Sequence, residues 1–242
     1  MKTVLITTPD DLMASLFWAA FKEKRKILIS KIIILPSRKE VDFPLWSKPF
    51  IMVKLLGFLG VYKLILYKLL VKKVKITEVC NECVVLNTLD QKKLYRELSR
   101  YDIDILISVG ASVVFSSDIL SLPTYCCLNI HNGNINKFRG HFSTFWEILN
   151  KEEECCLTLH EMTSKVDSGE IYEQICLPKK TASSFWEIMI WKKKVGGAIL
   201  AQALNMLDDL GHIDSKSKMT TSSSEAKYYP FPTIKDVFNF RF

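Results

Sequence analysis

No glycine stands in the first strand-to-helix turn of this 242-residue chain, where Thr7-Thr8-Pro9-Asp10-Asp11 directly follows the apolar run from Thr3. A dinucleotide site needs glycines at that turn so that the backbone can approach a pyrophosphate, so NAD or FAD chemistry is disfavoured. A Walker motif is missing as well. The amino terminus carries no secretory signal, because Pro9-Asp10-Asp11 cuts the first apolar stretch short. A reducing, cytoplasmic location is therefore expected. Cys80 and Cys83 form a lone C-x-x-C, with no second C-x-x-C or histidine pair to complete four zinc ligands. No metal is expected, and the seven cysteines read as buried free thiols. Internal repeats are also lacking.

At 48% apolar and 24% charged residues, the composition is that of a globular protein and excludes intrinsic disorder. The net charge of +7 is unevenly spread: residues 1 to 75 hold 15 Lys/Arg against 5 Asp/Glu. That excess favours an anionic partner for the first third of the chain. One stretch, Ile51 to Val71, is long enough to span a bilayer, but it contains Lys54, Lys63 and Lys68. Each lysine costs ~2.5 to 3.5 kcal/mol near the centre of a spanning helix. The stretch is therefore read as an amphipathic helix packed on the protein, not as an integral membrane segment.

Short apolar strands alternate with amphipathic helices along most of the chain, which predicts an α/β fold: a Rossmann-like, mostly parallel sheet with helices on both faces. Strands are expected at 3–7, 31–35, 84–87, 103–108, 126–130, 157–161 and 170–177. Helices are expected at 12–22, 51–72, 90–100, 141–149 and 184–210. Residues 1–210 form the catalytic domain in this reading, and 211–242 a short tail or hairpin. The tail begins with a serine-rich stretch and continues into Tyr228-Tyr229-Pro230-Phe231-Pro232, which is too apolar to hang free. It is expected to pack on the domain, a partner subunit or a ligand.

Unusual polar residues concentrate in Asn129–Gly140, at the end of the strand that starts at Cys126. Asn129 and His131 are two residues apart, so on a strand both side chains point the same way. A neutral hydrogen-bond donor beside a group that titrates near neutrality suits a reaction in which an oxyanion develops while a proton moves. A second block, residues 157–174, ends a strand and turns at Asp167-Ser168-Gly169. A carboxylate brought in by a neighbouring loop can orient an imidazole and raise its basicity.

In order and register, the two blocks supply Asn129-Ile130-His131, Arg139-Gly140, Trp146, Thr158, Met162 and Asp167-Ser168-Gly169. In this they resemble the 10-formyltetrahydrofolate-dependent formyltransferases, over roughly residues 85 to 175. The family pattern usually has Pro and Tyr where this chain has Asn136 and Phe138, and Gly where it has Cys156. The resemblance implies catalysis by Asn129, His131 and Asp167, with 10-formyltetrahydrofolate as co-substrate and no metal. It also implies that the folate lies against Ser108, Gly110, Ala111, Ser112 and Val113, and against Val166 before the aspartate.

The acceptor is read from the surroundings of those blocks. Transfer-RNA formyltransferases carry an extra β-barrel domain for which the 32 residues after Leu210 are too few, so no nucleic-acid partner is expected. The compact core with an aromatic tail resembles the nucleotide-sugar N-formyltransferases. A nucleotide-linked amino sugar is then the expected acceptor, with Arg139, Tyr228, Tyr229 and Phe231 as substrate-binding residues and the basic first third facing the diphosphate. A homodimer is expected. The alternatives are a formyltransferase for another amine such as methionyl-tRNA, or a non-enzymatic membrane-surface or interaction protein.

Overall fold

The computed structural model describes residues 1–9, 13–37, 48–70, 74–111, 113–182, 184–213 and 226–241. Seven strands form one sheet: β1 (Thr3–Thr7), β2 (Ile29–Ile34), β3 (Cys80–Val85), β4 (Ile105–Val109), β5 (Cys126–His131), β7 (Glu154–Glu161) and β8 (Ile171–Pro178). Their spatial order is β3-β2-β1-β4-β5-β7-β8. Pairings from β3 through β5 are parallel, and the two that add β7 and β8 are antiparallel. A separate ribbon pairs β6 (Phe138–Gly140) in parallel with β9 (Lys227–Tyr229).

The central strand TVLIT is buried along its whole length, as expected of a strand covered on both faces. Its alternation divides the core. Leu5 points into a layer that includes Phe17, Trp18 and Phe21 of α1 (Ala14–Lys24) and Leu200 and Leu204 of α6 (Phe185–Leu210). Val4 and Ile6 point the other way, towards Leu94 and Leu98 of α3 (Gln91–Leu98) and Ile119 of α4 (Ser117–Leu120). α1 and α6 approach so closely that a Cβ on Gly197 would collide with the Phe17 carbonyl oxygen.

A third cluster, outside the sheet, joins α5 (Ser143–Leu149) and α6 to α7 (Ile234–Asn239) through Phe145, Phe185 and Phe240. The rings of Phe145 and Phe240 stack at 4.9 Å. Beside it, Lys192 of α6 is buried against Glu147 of α5, with Nζ donating to Glu147 Oε2 at 2.8 Å, the Asn132 carbonyl at 2.9 Å and Thr144 Oγ1 at 2.9 Å. Glu147 Oε1 in turn accepts from the backbone N–H groups of Asn134 and Cys156.

Several expectations need correction. The strand expected at 84–87 is β3, which ends at Val85; β6, β9, α4 and α7 carry too few residues to show a period. The helix expected at 51–72 is α2 (Lys48–Leu70), interrupted at Gly57, where φ is 68°. It is not packed along its length: among its described side chains only Ile51, Gly60 and Leu64 are buried, while Phe58, Leu59, Tyr62, Ile65 and Leu69 are exposed. Cys156 and Cys176 are not free thiols. They stand opposite each other in the β7–β8 register and form a disulfide, a partnership that strand pairing creates between residues 20 apart. Burial pushes the free Cys127 thiol up to about 12 and those of Cys80, Cys126 and Cys155 up to about 11, so they stay protonated at neutral pH. Asp10, Asp11 and Leu12 of the first turn and the serine-rich start of the tail lie outside the described residues.

Replacing Lys192 by Met strands the Glu147 carboxylate in the core and should cost about 3–5 kcal/mol of stability in urea denaturation. Lys194→Met, on the exposed side of the same helix, should change stability by no more than about 0.5 kcal/mol.

Candidate active site

A cavity of about 520 Å³ opens at the carboxyl ends of β1, β4 and β5, where open α/β sheets place their ligands. Asn129 and His131 reach it from β5, and Asp167 from the loop between β7 and β8. Asp167 adopts φ 46°, a left-handed turn conformation that short polar side chains tolerate. The separation of 36 positions is thereby closed to a contact of 3.3 Å between His131 Nδ1 and Asp167 Oδ2.

The carboxylate of Asp167 is surrounded by polar groups. Oδ2 accepts from the Gly140 N–H at 2.8 Å and faces His131, and Oδ1 lies 3.4 Å from Asn129 Nδ2 and 3.5 Å from His160 Nε2. Burial opposes the charge on Asp167, but His131, His160 and the Gly140 N–H outweigh it and hold the group well below the usual carboxylate range. His131 shifts downward as well. There burial favours the neutral ring more strongly than Asp167 favours the cation. The resting site therefore pairs a charged Asp167 with a neutral His131.

Hydrogen bonds constrain both imidazoles. His131 Nε2 lies 2.7 Å from the Phe138 carbonyl and 2.8 Å from Ser143 Oγ. Because a carbonyl only accepts, a neutral ring that satisfies Phe138 carries its proton on Nε2 and turns the Nδ1 lone pair towards Asp167. A proton arriving at Nδ1 would then be shared with the carboxylate. His160 Nδ1 donates to the Glu161 carbonyl at 2.7 Å, which leaves Nε2 to accept from Asn129 Nδ2 at 3.0 Å. This orients the Asn129 amide and leaves its contact to Asp167 as the longer, weaker one.

Sequence reasoning missed His160, which stands directly across from Asn129 in the β5–β7 register. The signal was available: Leu157 and Leu159 face the core, so Thr158 and His160 share the opposite side. Ser143 and Thr144 were missed too, because nothing in their spacing marks them.

Of the residues expected at the folate, Ser108, Gly110, Ala111, Val113 and Val166 line the cavity, and Ser112 lies outside the described residues. Of those expected at the acceptor, Tyr228 and Phe231 line it, and Tyr229 and Arg139 do not. Tyr229 packs inward on Phe138 and Trp146, at 5.2 and 5.0 Å between ring centres. Arg139 donates from Nε to the Ile135 carbonyl. Phe231 instead meets the His141 ring at 4.6 Å. Among the described residues, no lysine or arginine of the basic first third lines the cavity; its cationic side chains are Lys165, Lys192 and Lys193.

The tail is pinned to β6 and α5 by the β6–β9 pairing, by His141 N–H donating to the Tyr229 carbonyl, and by Trp146 Nε1 donating to the Pro230 carbonyl. Gly140 makes this approach feasible. Its φ is 92°, and a Cβ there would lie 2.5 Å from the Tyr229 carbonyl oxygen.

The depressed His131 pKa carries a pH dependence with a defined sign. In the unfolded chain a histidine titrates near about 6.5, so just below that pH the unfolded state binds more protons than the native state, and stability drops as the pH is lowered. Asp167 does not contribute in this range, since its stabilisation is complete above about pH 3.9 and is lost only at lower pH. Thermal melting between about pH 7.5 and about pH 5.5 should therefore show a slope that His131→Gln reduces. An unchanged slope would contradict a buried neutral imidazole.

Comparison with known proteins gives concordant results. The chain matches the family described as formyl transferase over residues 70–204. Among curated proteins, the methionyl-tRNA formyltransferase of Ehrlichia ruminantium (strain Welgevonden) is 27% identical over 107 residues, which are 44% of this chain and 35% of that protein. The chain thus spans about a third of the length of that relative. Among solved structures, a sugar N-formyltransferase from a Shewanella species superposes with a TM-score of 0.60 at 16% identity, covering 99% of this chain and 86% of the other. A sugar 3N-formyltransferase crystallised with dTDP and 5-N-formyl-tetrahydrofolate superposes with a TM-score of 0.51 at 17% identity, covering 95% and 69%. The likeness to these structures is one of fold. With a family match extending over more than half of its length and enclosing the strands and loop that bear Asn129, His131 and Asp167, the chain belongs to the formyl transferase family.

Proposed function

We propose that the protein is an N-formyltransferase that moves the formyl group of 10-formyltetrahydrofolate to the amine of a nucleotide-linked amino sugar. The observation that carries this reading is the convergence of Asn129, His131 and Asp167 in a cavity that Tyr228 and Phe231 also line. As the acceptor amine adds to the formyl carbon, Asn129 gives up its long contact with Asp167 and donates to the developing oxyanion. His131 takes the amine proton at Nδ1, where Asp167 stabilises the cation, and returns it to the folate nitrogen as the carbon–nitrogen bond breaks. Ser108, Gly110, Ala111 and Val166 form the wall against which the folate lies.

The acceptor end is aromatic where the folate end is largely backbone and aliphatic. Stacking on Tyr228 or Phe231 suits a nucleobase, and Lys165 and Lys193, which line the same cavity, are the cations available to a diphosphate, since no described lysine or arginine of the first third lines it. The similar sugar N-formyltransferase structures support the same acceptor class, whereas the methionyl-tRNA formyltransferases among the curated relatives make aminoacylated tRNA the competitor to test.

Kinetics with both co-substrates separates these roles. His131→Ala and Asp167→Ala should each lower kcat by about 100-fold to 10,000-fold, and Asn129→Ala should raise the barrier by about 2.7–4 kcal/mol. Tyr228→Ala should raise KM for the nucleotide-linked acceptor while leaving KM for the folate unchanged. Point substitution is the suitable probe, because removing the tail would also remove the β9 partner of the catalytic loop. A kcat/KM for aminoacylated tRNA equal to or above that for every nucleotide-linked amino sugar would overturn the acceptor assignment.

A further inference from the structure

We propose that α2 is an interfacial helix that seats the protein on the surface of an anionic lipid bilayer. The proposal starts from where the charge and the exposed apolar surface lie. Residues 48–77 contain Lys48, Lys54, Lys63, Lys68, Lys72, Lys73 and Lys75 and no acidic residue. Beyond Gly57, Phe58, Tyr62, Ile65 and Leu69 recur at helical spacing, so at about 100° per residue they fall within about 60° of one another. The structure leaves this stripe in solvent: Phe58 is 83% exposed, Leu69 75%, Tyr62 58% and Ile65 50%, with Leu59 beside them at 62%. A second exposed aromatic pair, Phe50 and Phe238, meets at 5.0 Å near the start of the same helix.

Exposed apolar rows of this size mark an interaction surface, and the sign of the charge selects the partner. A second copy of the chain, docked about a two-fold axis, would bring the same lysine-rich helix against itself with no carboxylate on it to compensate. An anionic bilayer accepts both features, because lysines gain from the surface potential while the apolar stripe enters the headgroup boundary. A spanning arrangement does not fit as well. The stretch Lys48–Tyr67, with a mean hydropathy of 1.8, is long and apolar enough to cross a membrane by length and composition. The break at Gly57, however, leaves a continuous helical run of about 20 Å, short of the ~30 Å hydrocarbon core. The opposite side of that run is also held by α6, through Tyr67 and Trp186 rings at 6.5 Å and a Lys63–Glu187 ion pair at 3.2 Å.

Co-sedimentation of the full chain with vesicles tests the proposal, independently of any catalytic assay. Binding to mixed phosphatidylglycerol and phosphatidylcholine vesicles should exceed binding to pure phosphatidylcholine by about tenfold or more, and should fall steeply as NaCl rises from about 0.1 M to about 1 M. The F58E/L69E double variant should lose about tenfold or more in partitioning while keeping the wild-type melting temperature. The milder I65S/Y62S variant gives a second reading of the same face. The proposal is overturned if the wild-type chain stays in the supernatant with anionic vesicles, or if both variants bind as the wild type does. A salt-free dimer that the substitutions dissociate, with no vesicle binding, would overturn it in favour of a self-association face. Binding that resists both salt and carbonate washing would overturn it in favour of a spanning segment.

Discussion

The buried pair of Lys192 and Glu147 holds the catalytic end of the sheet together. Neither charge reaches water, so each must be compensated inside the protein. The compensation uses the backbone carbonyl of Asn132 and the N–H groups of Asn134 and Cys156, as well as the Thr144 hydroxyl. Those partners belong to the loop after β5, to α5 and to β7, which meet α6 at this point. A core of Leu and Phe could fill the same volume, but it would not fix the loop that follows His131 to particular atoms. Apolar packing is tolerant of small displacements, whereas an ammonium with three acceptors is not. The polar pair thus sets the geometry beside the site, and the surrounding aromatic cluster keeps water away from it.

A second constraint follows from Asp167. Its two oxygens draw together β5, the strand opposite it and the loop that contains Gly140. That same loop pairs with the tail, so Tyr228 lies on the ribbon whose Gly140 N–H binds the Asp167 carboxylate. Strand pairing thus ties the tail to the backbone N–H that holds the carboxylate facing His131.

How much of this could be read in the sequence depended on whether the signal was local. The central strands and the long helices were legible, because β-branched runs and helical periodicity are properties of neighbouring residues. The convergence of Asn129, His131 and Asp167 was legible because the motif spacing resembles that of a family. Lys192 was not: in the run Trp191-Lys192-Lys193-Lys194 nothing distinguishes the buried lysine from the exposed one. Its role exists only once α5 is packed beside α6. The Cys156–Cys176 bridge and the β6–β9 ribbon were hidden for the same reason, as both are created by pairings distant in sequence. Tyr228 and Tyr229 show the finer form of this limit, since adjacent residues on a strand face opposite ways and composition cannot say which one meets the cavity.

The distribution of charge required the largest revision. The basic first third suggested a diphosphate partner, yet the cavity draws its cations from Lys165, Lys192 and Lys193. Some of the early basic residues are consumed locally: Lys22 pairs with Glu78, Lys26 with Asp209, and Lys31 is buried with Glu82. In sequence, seven more lysines lie between residues 48 and 75, on and after α2, the helix with the most exposed apolar side chains among the described residues; of these Lys63 pairs with Glu187. Net charge alone is indifferent to geometry, and the same +10 would serve a soluble nucleotide or a charged surface equally well. The decisive feature is that lysines and exposed apolar residues share one helix, because a nucleotide in a cavity needs cations near polar groups, while a lipid surface needs them beside an apolar stripe.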